Sequence, residues 1–139
     1  ICRLFRVSFV AADGGGNGHV YNRLLAGKLH GFADIFSIHY SSAESEPVPD
    51  GVLWKWTVNR SRAIGSVFAR FKEKLNLLPR VQDCESFLDE FTCVVAEYDD
   101  YKRNIKFRHP ETQFDDALHA TTYAQLVAVR TIRKLNRFA

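Results

Sequence analysis

The sequence predicts an α/β fold in a single domain covering residues 1–139. Three observations lead to this prediction: a β-rich segment ends at an acid and a glycine run, a helical segment follows it directly, and a second β-rich segment lies beyond. The length of 139 residues fits one domain of roughly 100–150 residues. A hydrophobic content of 46% supplies a buried core, which excludes a disordered or collagen-like chain.

The first third of the chain carries the clearest pattern. Residues 4–12 (LFRVSFVAA) are typical of a buried strand, and Asp13 with the glycines after it predicts a tight turn at the strand end. Residues 33–39 form the second predicted strand. Between the strands, residues 19–30 are predicted to be a helix with an apolar face of Val20, Leu24 and Leu25. This order indicates a βαβ unit with parallel strands and a right-handed crossover.

The middle of the chain is predicted to contain a loop and a helix. Residues 41–51 are rich in Ser, Glu and Pro, which is typical of a loop. Residues 52–56 are predicted to form a short extended piece. A helix capped by Asn59 or Ser61 is expected to follow and to run to about residue 74. Its core-facing stripe is predicted to contain Ile64, Val67, Phe68, Phe71 and Leu75.

The last part of the chain predicts two helices separated by a strand. Residues 101–108 alternate enough to form a strand or a hairpin arm, and residues 115–134 are helical in pattern. Residues 83–98 are predicted to form an amphipathic helix, because acids lie at its start and apolar residues recur along it. Its predicted buried stripe contains Phe87, Leu88, Phe91, Val94 and Val95.

Charge, cysteine content and hydropathy limit the class of protein. The formal charge of +3 is compatible with nucleic-acid binding. Cys2, Cys84 and Cys93 are odd in number and scattered, which excludes a disulfide framework or a CxxC zinc pattern and indicates a reducing compartment. No apolar run approaches the roughly 18 residues of a membrane span. Arg3 and Arg6 interrupt the only early apolar stretch, so no signal peptide is predicted.

Asp13 is the first candidate for chemistry. The carboxyl ends of parallel strands are where α/β folds place ligands and catalytic groups. A carboxylate at the end of a hydrophobic strand is costly without a partner cation, and the glycines that follow let another group approach the backbone closely. We therefore interpret Asp13 as a metal ligand and catalytic residue. The alternative is a turn in which its side chain binds its own backbone.

Asp115 and Asp116 are the second candidates. They open the last predicted helix, where capping and the helix dipole favour acids, but one Asp is enough for capping. Mg²⁺ binds few carboxylates together with water and phosphate oxygens, and two ions about 3.5–4 Å apart stabilise both oxygens of a phosphodiester displacement. Both acids are therefore predicted metal ligands and catalytic residues. Asp116 is preferred because it lies deeper in the helix.

Two motifs together resemble a known family. One is the run Val10-Ala11-Ala12-Asp13-Gly14-Gly15-Gly16, followed by a helix and by Asn59-Arg60-Ser61. The other, more specific motif is Phe114-Asp115-Asp116-Ala117-Leu118-His119-Ala120 with Tyr123-Ala124. In this order and spacing they resemble the C-terminal nuclease domain of the large terminase subunit of tailed bacteriophages, from about residue 5 to residue 130.

The resemblance implies an RNase H-like mixed sheet flanked by helices and a two-metal endonuclease, using Mg²⁺ or Mn²⁺, that cuts concatemeric viral DNA during packaging. Asp13 then corresponds to the acid ending the fourth core strand, and Asp116 or Asp115 to the acid opening the last helix. The family also uses an acid on its first core strand, which nothing here matches. The chain starts at Ile1 and contains no Met, so it is expected to lack preceding core strands and to be inactive in isolation.

The resemblance also implies partners and a location. Double-stranded DNA is the expected substrate, and the portal and the small terminase subunit are expected partners of the full-length protein in the host cytoplasm, with no membrane involved. Basic residues neutralise a DNA backbone and position it without reading its sequence. The residues predicted to do so are Arg60, Arg62, Lys102 and Arg103, and a solvated basic face is the alternative.

Two other functional classes remain open at this point. The chain could be a non-catalytic DNA-binding or assembly module of RNase H-like or Rossmann-like shape, whose acids only cap helices and form turns. It could also use Gly14–Gly18 as a nucleotide phosphate loop. That hypothesis is weaker, because the run lacks the GxGxxG spacing and the Lys-Ser/Thr of a P-loop.

Overall fold

The chain is a mixed α/β protein with a mixed sheet flanked by helices, as the general α/β prediction requires. The computed structural model describes residues 1–101 and 103–135, with side chains up to residue 132. The chain divides into two compact units, one made of Ile1–Arg60 with the helix from Tyr123 onward, the other of Ser61–Thr122. None of the helices in the described part combines the length and apolar character that a membrane span requires.

The first unit is built on a four-stranded sheet. Its strands are β1 (Phe9–Asp13), β2 (Asp34–Ser41), β3 (Val48–Asp50) and β4 (Leu53–Asn59), in the order β1-β2-β4-β3. β2 is parallel to both β1 and β4, whereas β3 is antiparallel to β4. Helix α1 (Gly18–Leu29) connects β1 to β2. The predicted βαβ unit with parallel strands is therefore confirmed.

The central strand β2 forms the core of this sheet. Residues Ile35 to Ile38 are all buried, as expected for a strand that is paired on both sides and packed against helices. The register pairs Asp13 with Ile38 across β1 and β2, and Ile38 with Trp56 across β2 and β4. The carboxyl end of β1 therefore lies beside residues 37–39 of β2.

The predicted first strand is too long at its amino end. β1 begins at Phe9 rather than at residue 4, because the chain before it forms a turn with its own backbone hydrogen bonds. Leu4 and Phe5 are exposed there, and Arg6 has a φ of 49°, which no strand residue adopts. The apolar composition of this segment therefore reflects exposed residues and not a strand interior.

The predicted loop over residues 41–51 is wrong at its carboxyl end. Val48–Asp50 form strand β3, and the pairing of Asp50 with Leu53 makes a tight hairpin with β4. Gly51 has a φ of 63°, which glycine adopts without the strain that a side chain would cause. The two prolines and the acids of this segment fit an edge strand, where a missing backbone donor is tolerated.

The predicted apolar face of α1 is confirmed at Leu25 and is wrong at Val20 and Leu24. Val20 and Leu24 are exposed, at 45% and 61%, while Asn22 and Ala26 are buried. Ala26 packs in a core cluster with Ile35 and Leu53, and Leu25 and Leu29 pack against it. The buried stripe thus contains the polar residue Asn22, which a pattern of apolar residues alone does not indicate.

The second unit contains two helices, a hairpin and the start of a third helix. Helix α2 is Arg60–Lys72, helix α3 is Val81–Thr92, and strands β5 (Val95–Asp99) and β6 (Asn104–Arg108) form an antiparallel hairpin. Ile64, Val67 and Leu118 are completely buried. Partly buried residues pack around them: Phe68, Phe71, Phe91, Val94 and Phe107. The predicted stripe of α2 is confirmed except at Leu75, which is exposed beyond the helix end.

The predicted helix over residues 83–98 is wrong in its last third. The helix ends at Thr92, and Val95 begins β5. Pairing with β6 satisfies the backbone groups of these residues in place of helical hydrogen bonds, and the adjacent β-branched residues Val94 and Val95 favour a strand. The predicted hairpin arm and the predicted last helix are confirmed as β6 and as helix α4 (Asp116–Leu135).

Candidate functional site

In the first unit, Asp13 ends β1 and begins a turn of glycines. Its Oδ1 accepts a hydrogen bond from the backbone N–H of Gly15 at 3.2 Å, and the N–H of Gly14 donates to Ile38 O at 2.7 Å. Gly16 then adopts a φ of 52° before α1 starts. The strand thus stops because the chain turns sharply there, and the turn fixes the direction of the Asp13 carboxylate.

Two glycines of this turn have no room for a side chain. A Cβ at Gly14 would lie 2.6 Å from Ser37 Oγ and would overlap the His39 ring. A Cβ at Gly18 would overlap the backbone carbonyl oxygen of Asp13. The glycine run was predicted to let another group approach the backbone closely. The groups that do so are the Ser37 and His39 side chains and the Asp13 carbonyl oxygen.

The buried residue Asn22 ties the strand end to its neighbours. Its side-chain amide donates to Asp13 O at 2.8 Å and to Ser37 Oγ at 3.0 Å. Asn22 is 4% exposed, so these bonds lie away from water, where losing them is costly. Sequence analysis missed Asn22, although its spacing from Ala26 marks it as a member of the buried stripe.

Tyr123 contacts the Asp13 side chain from helix α4. Its hydroxyl donates to Asp13 Oδ1 at 3.3 Å, and its ring lies 5.5 Å from the ring of Tyr40. Burial, followed by the neighbouring Tyr40 and Asp13, raises the pKa of Tyr123 well above its ordinary value. The hydroxyl therefore stays protonated and acts as a donor to the carboxylate. Sequence analysis placed Tyr123 in a motif but gave it no role.

His39 lies beside the turn and belongs to the same hydrogen-bond network. Its Nε2 is 3.3 Å from Ser37 Oγ. Burial, followed by the positive charge of Lys55, lowers the pKa of His39, against an opposing effect of Asp13. A neutral ring fits the network, because Ser37 accepts from Asn22 and its own hydroxyl proton is then available for an unprotonated His39 Nε2.

In the second unit, Asp115 is enclosed by histidines. The residue is 9% exposed, and its Oδ2 lies 3.0 Å from His119 Nε2 and 3.7 Å from His109 Nε2. Glu90 accepts the backbone N–H of Ala117 at 2.6 Å, so an acid from α3 satisfies one donor of the α4 start. The sequence pattern placed His119 one turn from the acids, and the structure brings it onto Asp115.

Asp116 differs from Asp115 in its environment. It is the first residue of α4 and is exposed, where its charge favours the positive end of the helix dipole. Asp115 precedes the helix and is buried. Asp116 therefore lies further into the helix than Asp115, as predicted, but it is the more exposed of the two. Which of the two acids binds a metal stays a prediction.

The nearby Cys93 is a packing residue. It is 9% exposed, and its thiol lies 3.4 Å from Phe114 O. Burial, followed by the negative charge of Asp115, raises the pKa of the Cys93 thiol. A protonated, buried thiol is a poor nucleophile and a poor metal ligand.

Asp13, Asp115 and Asp116 supply carboxylate oxygens, which Mg²⁺ and Mn²⁺ prefer, but the described residues do not complete a metal site. Over residues 1–101 and 103–132, no three His, Cys, Asp or Glu side chains are placed to hold a metal ion together. Asp13 supplies one carboxylate within the first unit, and its Oδ1 already accepts two hydrogen bonds. A pair of ions needs several carboxylate oxygens. Neither unit, taken by itself, fits the two-ion site.

Comparison with known proteins gives no relative. No protein-family model, no curated protein and no solved structure matches the chain. The terminase resemblance therefore remains a prediction from the motifs quoted above.

Three of the four basic residues predicted to bind DNA are described, and they lie at two places. Arg60 and Arg62 lie at the start of α2, and Arg103 lies in the turn before β6, with a φ of 49°. Arg103 is thus exposed at a hairpin tip and not on a strand, as was predicted. Lys102 lies outside the described residues.

Two other cations of β6 are already paired with acids of β5. Lys106 lies 2.6 Å from Asp99, and Arg108 lies 3.0 Å from Glu97. Cross-strand pairs of this kind stabilise a hairpin by a fraction of a kcal/mol to about 1 kcal/mol. The basic character of this strand is therefore partly neutralised, which favours the alternative of a solvated face for these two residues.

Proposed function

We propose that the chain is the nuclease part of a phage-type large terminase subunit, an RNase H-like, metal-dependent endonuclease that cuts concatemeric viral DNA during packaging. The motif resemblance suggests this function. One observation supports it: Asp13 stands at the carboxyl end of a parallel strand with its carboxylate held in a fixed direction. Ligands of open α/β sheets bind outside this end of the strands.

The proposal gives Asp13, and Asp115 or Asp116, the role of carboxylate ligands to Mg²⁺ or Mn²⁺. Such ions supply Lewis acidity and an activated water for phosphodiester hydrolysis. The protein groups that act on Asp13 are the N–H of Gly15 and the hydroxyl of Tyr123, which both donate to Oδ1. They orient the carboxylate while leaving its Oδ2 without a hydrogen bond from the described residues.

The same proposal covers the partners. Arg60, Arg62, Lys102 and Arg103 are proposed to contact the phosphates of double-stranded DNA. Contact with the portal and the small terminase subunit in the host cytoplasm follows from the resemblance alone. Lowering the ionic strength should strengthen DNA binding if several of these cations engage phosphates, since bound counterions are released from the DNA.

Cleavage of plasmid DNA tests this function. The assay uses full-length protein, because the resemblance implies a further acid on a strand that precedes Ile1. Asp13→Asn is expected to reduce Mn²⁺-dependent nicking to the metal-free background. Asp34→Asn is the matched control, because Asp34 is an exposed acid at the opposite end of the same sheet and should leave nicking unchanged.

Two variants extend this test to the second unit. One of the two variants Asp115→Asn and Asp116→Asn is expected to abolish cleavage, and the other is expected to retain it. Unchanged cleavage in Asp13→Asn, with circular dichroism confirming the fold of each variant, would contradict the proposal. Loss of cleavage in Asp34→Asn as well would show that the effect is not specific to the strand end.

A second function is favoured by one observation. The contact of Asp115 with His119 at 3.0 Å gives this acid a structural partner that needs no metal. A non-catalytic DNA-binding or assembly module of RNase H-like or Rossmann-like shape would use its acids in this way. This second function predicts that neither Mg²⁺ nor the substitution Asp13→Asn changes the affinity for DNA. Fluorescence anisotropy of a labelled duplex measures that affinity.

A further inference from the structure

A polar cleft in the first unit is not used by the proposed nuclease. It has a volume of about 280 Å³ and is lined by side chains of α1 and of strands β2, β3 and β4. Helix α1 contributes His19 and Arg23, and β2 contributes Ser37 and His39. The cleft lies next to the glycine turn, because the space that a Cβ at Gly14 would need is taken by Ser37 and His39.

The permanent charges of the lining sum to one positive charge, and the Asp13 carboxylate acts on His39 from outside the lining. Arg23 is paired with Asp50 at 2.8 Å, so these two charges largely cancel. Lys55 also lines the cleft and has no ion-pair partner among residues 1–101 and 103–132. It stands opposite Ser37 in the register of β2 and β4, which directs the two side chains to the same face of the sheet.

The neutral groups of the lining add polar contacts. The Asn22 side-chain amide donates a hydrogen bond to Ser37 Oγ at 3.0 Å, and Ser37 Oγ lies 3.3 Å from His39 Nε2. If Ser37 donates to Nε2, the proton of a neutral His39 ring is on Nδ1, which is then a hydrogen-bond donor. His19 Nδ1 is 3.1 Å from the carbonyl oxygen of Gly16, which fixes that ring at the mouth of the turn.

We propose that this cleft binds a phosphoryl group through Lys55, with Arg23, His19 and His39 around it. The lining itself has a net positive charge, which favours an anion, and ammonium and guanidinium groups are strong donors to phosphate oxygens. The volume exceeds that of a single phosphate and lies just under the roughly 300–1,000 Å³ of ligand pockets. The ligand is therefore a phosphate ester, either a free monoester or a phosphate of a nucleic-acid strand.

This inference does not depend on the proposed nuclease. The cleft needs neither a metal ion nor any residue of the second unit. Phosphate binding without DNA cleavage would leave the inference standing, and cleavage without phosphate binding at Lys55 would remove the inference alone. The two proposals therefore fail separately.

Proton NMR of the histidine rings tests the cleft directly. The probes are inorganic phosphate, a deoxynucleoside 5′-monophosphate and a short single-stranded oligodeoxynucleotide, each titrated at constant ionic strength. The Cε1–H signals of His19 and His39 are expected to shift saturably, while that of His109 in the second unit stays unchanged. A stronger response to the monophosphate indicates a free ester, and a response to the oligonucleotide alone indicates a backbone phosphate.

Two lysine variants show whether the binding is specific. Lys55→Ala is expected to weaken the binding about fivefold or more, the effect of roughly 1 kcal/mol for one partly exposed charge. Lys28→Ala removes an exposed cation from the last turn of α1, outside the cleft, and should change the affinity less than twofold. Absence of saturable shifts with all three probes, or equal weakening by both variants, would overturn the proposal.

Discussion

Asp13 and Asp115 each stand just before a helix, yet their surroundings differ. Asp13 is exposed, and its carboxylate accepts hydrogen bonds from a backbone N–H and from a tyrosine hydroxyl that stays protonated. Asp115 is buried, and its carboxylate faces the imidazoles of His119 and His109. The donors to Asp13 are uncharged groups, whereas Asp115 already has two imidazole rings beside its carboxylate. We therefore propose Asp13 as the stronger candidate of the two for a metal ligand.

The largest effect on stability is expected at the glycine turn of the Asp13 region. Gly18→Ala should lower the free energy of unfolding by about 2–3 kcal/mol, because its Cβ would overlap the carbonyl oxygen of Asp13 and the backbone must shift. Gly27→Ala, in the same helix, meets no atom within 4 Å and should stabilise the protein by roughly 0.5–1 kcal/mol. Urea denaturation measures both. Equal effects of the two substitutions would mean that the turn is not tightly packed.

Removing one donor from each region should give the next largest effect. Asn22→Ala leaves Asp13 O and Ser37 Oγ without their buried donor and should cost about 2 kcal/mol. His119→Leu should cost about 1 kcal/mol, because His109 remains near Asp115. Thermal denaturation of both variants compares them, and a larger loss for His119→Leu would reverse the ranking of the two regions.

The smallest expected effect is a dependence of stability on pH at His39. Burial, followed by Lys55, lowers the pKa of His39 in the folded protein below its usual value of 6.5, so the unfolded chain takes up the proton at a higher pH. This contribution to stability is complete above pH 6.5 and is lost as the pH falls from there through the lower pKa of the folded protein. The loss between pH 7.5 and 5.5 should be smaller in His39→Gln. An identical loss in that variant would assign the effect to another group.

The sequence was sufficient for the first βαβ unit and for α2 and α4, but not for strands β3 and β5 or for the contacts between elements. The βαβ unit follows from a hydrophobic strand, a glycine turn and a helix period, which are local signals. Residue Asn22 escaped notice because a buried amide is recognised by its partners, Asp13 O and Ser37 Oγ, and both are distant in sequence. The change from helix to strand after Thr92 depends on pairing with β6, which no local pattern contains.

The surroundings of the candidate acids could be predicted from the sequence only in part. The predicted positions of Asp13 at a strand end and of Asp115 at a helix start are confirmed. The contact of His119 with Asp115 follows from their spacing of four residues along the chain. That Tyr123 donates to Asp13 depends on packing between residues far apart in sequence, on which composition and spacing carry no information.

The most direct test of the central claim, that Asp13 is a ligand for a divalent cation, is paramagnetic broadening of backbone amide signals by Mn²⁺. We predict that the amides of residues 14–16 broaden at the lowest Mn²⁺ concentrations, because the Gly15 N–H contacts the Asp13 carboxylate and residues 14 and 16 adjoin Gly15 in the chain. Asp13→Asn should abolish this broadening, and Asp34→Asn should preserve it. Broadening that is unchanged in Asp13→Asn, or that never appears at these amides, would contradict the claim.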